Sequence, residues 1–154
     1  MADSISKRPR RSAVRSARLI SPIATSPAVT AVMKANRKKN SKPELLVRKT
    51  LYNLGYRYRL HAGDLPGSPD IVLRKCRKVI FIHGWHQHQD PYCPLQSHPK
   101  SNTKYWTPKL MRNRMRDLAN EQLIAIIGWH SLTIWECELR DQVSLRRRLV
   151  DFLG

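Results

Sequence analysis

Residues 65–88, LPGSPDIVLRKCRKVIFIHGWHQH, gather one carboxylate, Asp70, and three histidines, His83, His86 and His88, around two short apolar runs. Pro66, Gly67 and Pro69 disfavour helix ahead of Asp70. Ile71, Val72 and Leu73 then have the length and β-branching of a buried strand. The basic turn Arg74–Lys78 leads into Val79, Ile80, Phe81 and Ile82, a second strand apolar on both faces, as in a sheet covered by helices. His83 and Gly84 end it. Asp70 thus stands at a strand mouth beside the end of a neighbouring strand. Carboxylate and carbonyl oxygens there suit a hard cation, and histidines beside it can handle protons near neutral pH. Taken alone, Asp70 reads more simply as a turn cap and the histidines as a solvated loop.

At 154 residues the chain is one domain's worth, enough for a real core and too short for two ordinary ones. Its 29 Lys and Arg against 11 Asp and Glu give a net charge of +18, which calls for a polyanionic partner, nucleic acid first, through counterion release. Cys76, Cys93 and Cys137 are too few and odd in number for a secreted disulfide framework, so reduced thiols or metal ligands in a cytoplasmic protein are expected. No apolar run reaches the roughly 20 residues of a membrane span, and no membrane partner is expected.

Residues 1–24 carry Lys7, Arg8, Arg10, Arg11, Arg15 and Arg18 against Asp3 and have no sustained apolar period, so a disordered basic tail is expected. The folded domain is placed at 25–154. Its first segment, with Val29, Val32, Met33, Arg37, Lys38 and Lys39, reads as a short helix or as an arm along DNA phosphates. Ser41-Lys42-Pro43-Glu44 is a capping box that starts a helix. Leu45, Leu51 and Leu54 supply its expected buried stripe, widened by Leu46 and Val47, and Gly55 ends it. Tyr56–Leu60 alternates like a strand with one wet face.

The polar stretch 84–104, with His86, His88, Cys93 and His98, is long enough to be functional or metal-held. Thr107 and Pro108 open a predicted helix whose buried side would be Leu110, Met111, Met115, Leu118 and Leu123. Asn113 and Asp117 stand four apart and share a face. Leu132–Trp135 reads as a fourth strand and about 141–152 as a closing helix, with Leu145, Leu149 and Phe152 inward; Trp129 and Trp135 read as core. Strands alternating with helices indicate an α/β domain, with ligands near strand ends.

The pieces in order resemble the very short patch repair (Vsr) DNA mismatch endonucleases. The resemblance is carried by NSKPELLVRKTL (40–51), GYRYRLHAGDLPGSPDIVL (55–73), VIFIHG (79–84), WHQH (85–88), CPLQSHPKSNTKYW (93–106), RNRMRD (112–117) and GWHSLTIWECEL (128–139). It implies a restriction-endonuclease-like PD-(D/E)xK fold, a single domain with a central mixed β-sheet flanked by helices. It also implies magnesium-dependent nicking 5′ to the thymine of a T:G mismatch left by deamination of 5-methylcytosine. On this resemblance Asp70 holds magnesium together with the carbonyl of Ile82. His86 is the general base, His83 its neighbour at the phosphate, and Glu44, Asn113 and Asp117 hold metal-bound waters. The partner is double-stranded DNA with a T:G mismatch, bound by a monomer, with mismatch-repair proteins as further candidate partners.

Two departures fall between Gly84 and Trp85, where the family usually reads HGCFWHxHxC and this chain lacks the Cys and the Phe. That Cys is one of four ligands of a structural zinc, and the other three fall on His88, Cys93 and Cys137, with Asp90, His98 or water left to complete the set. The Phe belongs to an aromatic wedge, leaving Met33, Trp85 and Trp106 to enter the base stack while Arg37, Lys38 and Lys39 contact phosphate. An alternative is a catalytically impaired basic DNA-binding protein on the same scaffold, with His86 misplaced by the deletion.

Overall fold

The computed structural model describes residues 39–84 and 100–154, with Pro27 and Cys93 besides. The expected tail 1–24 and the residues Met33, Arg37, Lys38, Trp85, His86 and His88 lie outside the described residues.

The two apolar runs of the central stretch form β2 (Ile71–Leu73) and β3 (Lys78–His83), paired antiparallel with Ile71 opposite Ile80 and Leu73 opposite Lys78. A 3₁₀ turn, Arg74–Cys76, joins them, and Arg77 takes the left-handed conformation (φ 51°) that brings the chain back. A short edge strand β1 (Arg59–Leu60) pairs antiparallel with β2, and β4 (His130–Trp135) pairs parallel with β3, from Lys78 opposite His130 to His83 opposite Trp135. The sheet is therefore mixed, in the order β1-β2-β3-β4. A parallel pair needs a crossover, and it contains α2 (Thr103–Ile126); α1 (Lys42–Asn53) precedes the sheet and α3 (Gln142–Leu153) follows it.

Side-chain alternation along β2 and β3 splits the core in two. Ile71, Leu73 and Ile80 pack with Val47 and Leu51 of α1 and Leu145, Leu149 and Leu153 of α3. Val72, Val79 and Phe81 face the other way, onto Leu65 and Ile124 of α2. Each fully buried side chain of this kind contributes about 1.5–3 kcal/mol, which explains why both strands are apolar without a break. Lys78 donates from Nζ to the carbonyls of Phe152 (2.7 Å) and Leu153 (3.2 Å), a cation on the open end of α3. Arg148 of α3 pairs with Glu138 and donates to the Thr133 carbonyl (3.1 Å), fixing the end of β4.

Several expectations need correction. The helix predicted from Thr107 begins at Thr103, after Asn102 in a left-handed conformation (φ 52°) whose carbonyl accepts the Tyr105 and Trp106 N–H groups at 2.9 and 3.0 Å. Pro108 falls inside the helix, where it has no N–H for the Lys104 carbonyl. Met111, Met115, Leu118 and Leu123 are 47–65 % exposed rather than buried. Asn113, Asp117, Asn120 and Ile124 face inward instead, with the same i, i+4, i+7, i+11 spacing as Met111, Met115, Leu118 and Gln122 on the opposite side.

In α1 the buried stripe is Glu44, Val47 and Leu51 while Leu45 is half exposed, a rotation set by the paired carboxylate of Glu44. Tyr56 and Tyr58 do turn inward against the core, but the ladder holds only Arg59 and Leu60, because His61 (φ 48°) turns the chain away. Trp129 packs on the second core cluster; Trp135 is partly exposed and packs at a tilt against His83.

Candidate active site

The approach to Asp70 is a turn in which the Ser68 N–H donates to the Leu65 carbonyl (3.2 Å), with Pro66 and then Gly67 (φ 75°) at its corner. Proline followed by a residue of positive φ is the requirement of a type II turn. The turn buries Pro69 and delivers Asp70 to the start of β2. From there the carboxylate reaches across to β3, where Oδ2 accepts the Ile82 N–H at 2.8 Å. Asp70 is thereby tied to the residue whose carbonyl the family resemblance names as a metal ligand. Burial pushes the Asp70 carboxyl above its usual range and nearby Glu44 adds to this, while the Ile82 N–H, His61 and His83 oppose it.

Glu44 enters from the first turn of α1 and is only 2 % exposed. Ser41 caps the helix by accepting the Glu44 N–H (3.4 Å), but the Glu44 carboxylate does not close the box on Ser41; its Oε2 accepts the N–H of Asn40 at 2.8 Å. Its Oε1 pairs with Arg48, one turn on, and lies 3.0 Å from His61 Nε2. One ligand atom each from Glu44, His61 and Asp70 lie within 4.8 Å of one another. Two carboxylates and an imidazole, two of them on adjoining strands or strand ends, form a donor set suited to a divalent cation.

On its other side Asp70 opens onto a cleft lined also by Gly67, Ser68, Ile82, His83, Arg116, Asp117 and Asn120. His83, at the end of β3, packs against the Trp135 ring (4.9 Å between centroids), and its Nδ1 stands 3.7 Å from Asp117 Oδ2. That gap is longer than a hydrogen bond. The nitrogen is buried and has no hydrogen-bond partner among the described residues. Arg116 stands 3.4 Å from the other Asp117 oxygen and is 63 % exposed at the cleft mouth. Asn113, one turn before Asp117 on the same face, is half-buried and does not line the cleft.

Cys93 neighbours Cys137, and burial together with that neighbour pushes the Cys137 thiol up to about 11. Two adjoining sulfurs supply half of a tetrahedral zinc set. Trp106 is half-buried in the first turns of α2, edge-on to Tyr105 at 5.2 Å, with the Lys109 ammonium 4.9 Å from its ring. It belongs to neither core cluster. Lys39 is exposed.

Sequence reasoning missed His61, Arg48, Arg116 and Asn120. His61 was within reach: once Leu60 pairs with Ile71, the next pair outward is His61 with Asp70, and the His61 N–H does donate to the Asp70 carbonyl (3.2 Å). Among the described residues no helix is long and apolar enough to cross a membrane.

The family described as DNA mismatch endonuclease Vsr matches residues 23–92. The type II nicking enzyme V.XorIIP of Xanthomonas oryzae pv. oryzae is 45 % identical over 124 residues, 79 % of this chain and 89 % of that protein. The type II nicking enzyme V.NmeAIP of Neisseria meningitidis is 43 % identical over 120 residues, 77 % of this chain and 84 % of its own. The DNA mismatch endonuclease Vsr of Escherichia coli is 35 % identical over 122 residues, 73 % of this chain and 76 % of its own. With the mixed sheet, the acidic cleft at its strand ends and these relatives together, the chain belongs to the Vsr family and is a DNA endonuclease.

Proposed function

We propose that the enzyme nicks one strand of duplex DNA 5′ to the thymine of a T:G mismatch, by magnesium-dependent hydrolysis of a phosphodiester. The observation that carries this reading is the meeting of Asp70, His83 and Asp117 in one cleft, from two strands and a crossover helix.

Asp70 and the Ile82 carbonyl would hold the cation, with Glu44, Asn113 and Asp117 accepting from its waters. A magnesium ion held by these residues would neutralise charge on the scissile phosphate. The Ile82 N–H keeps Asp70 Oδ2 turned toward β3, so the carboxylate is set in place before substrate arrives. Asp117 stands 3.7 Å from His83 Nδ1, so the two side chains face one cleft, and His83 lies beside the scissile phosphate, where an Nε2–H would donate to a phosphate oxygen. His86 takes the proton of the attacking water. Arg116, at the mouth, meets the DNA backbone, as do Arg37, Lys38 and Lys39. Met33, Trp85 and Trp106 enter the base stack beside the mismatch, where unstacking costs least. Away from the reacting phosphate, Cys93, Cys137 and His88 hold a structural zinc, completed by Asp90, His98 or water.

The test is nicking of a T:G duplex and of its matched counterpart, with and without magnesium, by the wild type and by Asp70→Ala. The expected result is mismatch-selective, magnesium-dependent nicking that Asp70→Ala abolishes while duplex binding persists. Undiminished nicking by Asp70→Ala would remove Asp70 from the mechanism. Binding without nicking by the wild type would leave a DNA-binding protein on a nuclease scaffold.

A further inference from the structure

We propose that His61 donates a ring nitrogen to the divalent cation at Asp70, making this a mixed oxygen and nitrogen site. The proposal rests on the reading that Asp70 holds the cation.

His61 is the residue at which β1 stops, and its backbone adopts a left-handed conformation (φ 48°). For a residue with a Cβ this is a costly conformation, and such strain persists only where the surroundings impose it. Here the backbone stays attached to Asp70 through the His61 N–H and the Asp70 carbonyl, while the ring turns toward Glu44. Because the three ligand atoms of Glu44, His61 and Asp70 are all within 4.8 Å of one another, a point exists no more than about 2.8 Å from each. That is an upper bound, and reaching the roughly 2.0–2.1 Å of magnesium takes a small inward movement of the three side chains.

Arg48 shows that this corner already attracts positive charge. One guanidinium nitrogen pairs with Glu44 Oε1 and lies 3.3 Å from His61 Nε2. The same Nε2 lies 3.0 Å from the acceptor-only Glu44 carboxylate, so it stands between a donor and an acceptor, and the neutral ring with its proton on Nδ1 is the form that would turn a lone pair to the cation. A lone pair directed at a cation is what metal ligation needs. Arg48 neutralises one carboxylate of the two and leaves a net negative charge for a divalent ion. Its Nη1 also donates to Asn40 Oδ1 at 2.9 Å, so a cation at this corner displaces one guanidinium contact, that to Glu44, and leaves the other.

Imidazole favours transition metals over magnesium relative to an all-oxygen set. Manganese(II) is therefore the probe: it accepts both donor types, and a directly bound ¹⁴N couples to its unpaired electrons in pulsed EPR. The experiment is Mn²⁺ titration of the full-length protein without DNA, with pulsed EPR of the bound ion, for wild type, His61→Asn, His61→Gln and Asp70→Ala. Asparagine tolerates the left-handed backbone and offers an oxygen, so His61→Asn keeps the fold and swaps the ligand atom; glutamine is the second variant, and thermal melts check both.

The wild type should show ¹⁴N coupling that both His61 variants lose. Mn²⁺ affinity in those variants should fall roughly tenfold, and Mg²⁺ affinity by less. Nitrogen coupling that survives in the His61 variants, or is absent from the wild type, would overturn His61 as a ligand. Loss of Mn²⁺ binding in Asp70→Ala would leave the Asp70 reading standing in that case. Unchanged Mn²⁺ binding by Asp70→Ala would bring down both.

Discussion

Replacing Gly67 by alanine should press the turn before Asp70 into α2. The new Cβ would lie 3.0 Å from Asn120 Cβ and Nδ2 and 3.1 Å from its Cγ, at a backbone φ of 75°. The amide of Asn120 can rotate away, but its Cβ is fixed to the helix, so the turn or the helix must give. Positive φ costs an L residue about 1–2 kcal/mol, and overpacking of this kind about 1–3 kcal/mol more. A total near 3 kcal/mol corresponds to a fall of roughly 6–12 °C in Tm for a chain of this size. Gly55→Ala separates the two costs, because Gly55 has φ 85° with nothing within 4 Å of the added carbon; it should lose only about 1–2 kcal/mol. Asn120→Gly removes the contact, at about 0.3–0.5 kcal/mol for glycine in place of asparagine in a helix, so the double variant should show a favourable coupling of about 1–3 kcal/mol. Urea denaturation of the four proteins measures the cycle. Turnover should fall as well, since Gly67, Asp70, Asp117 and Asn120 line one cleft. If Gly67→Ala is no less stable than Gly55→Ala, or if the cycle shows no coupling, the packing of the turn on α2 is wrong.

Asp141→Ala should lower Tm at neutral pH by uncapping α3, since the Ser144 hydroxyl and the Ser144 and Val143 N–H groups hold the Asp141 carboxyl below the usual carboxylate range. A depressed folded pKa contributes stability above the unfolded value near 3.9 and loses it as pH falls through the folded one, so the gap to wild type should close below about pH 4 in a Tm series. Cys137→Ser should lower Tm and release metal, because structural zinc contributes folding energy directly; metal analysis showing no zinc in the purified wild type would retire that reading. Trp106→Ala should reduce discrimination between T:G and matched duplexes in competition binding with little change in salt dependence, whereas an equal loss on both would assign Trp106 to packing.

The elements most legible in the sequence are those whose burial is simple. Ile71–Leu73 and Val79–Ile82 are covered on both faces, so an unbroken apolar run could mean only a central strand or a buried helix, and their length and flanking prolines decide between them. Ser41 and Leu145, Leu149 similarly mark α1 and α3. The crossover helix misleads because its inward arc must be polar: Asn113, Asp117 and Asn120 turn toward the sheet end, and the methionines and leucines are displaced to the outside. Periodicity alone finds the helix and chooses the wrong face, since both faces repeat with the same spacing. Glu44 rotates α1 for the same reason. A buried carboxylate with Asn40, Arg48 and His61 as partners outranks the exposed Leu45.

The distribution of charge separates a nuclease from a simple DNA-binding protein. A chain of net charge +18 needs no further device to hold a duplex, and carboxylates placed where phosphate must come close work against that affinity. Yet Asp70, Asp117 and Glu121 line one cleft, Glu44 stands behind Asp70, and together these four make up more than a third of the 11 acidic residues. Burial of Glu44 and half-burial of Asp70 make the arrangement more costly still, as the raised Asp70 carboxyl pKa reflects. Hydrogen bonds from Ile82, Asn40 and Arg48 recover part of that cost without removing the concentration of negative charge. A divalent cation reverses the sign of the cleft and turns the repulsion into a clamp on phosphate. The acidic pocket within a basic surface is therefore intelligible as a device for hydrolysing the backbone that the surface binds.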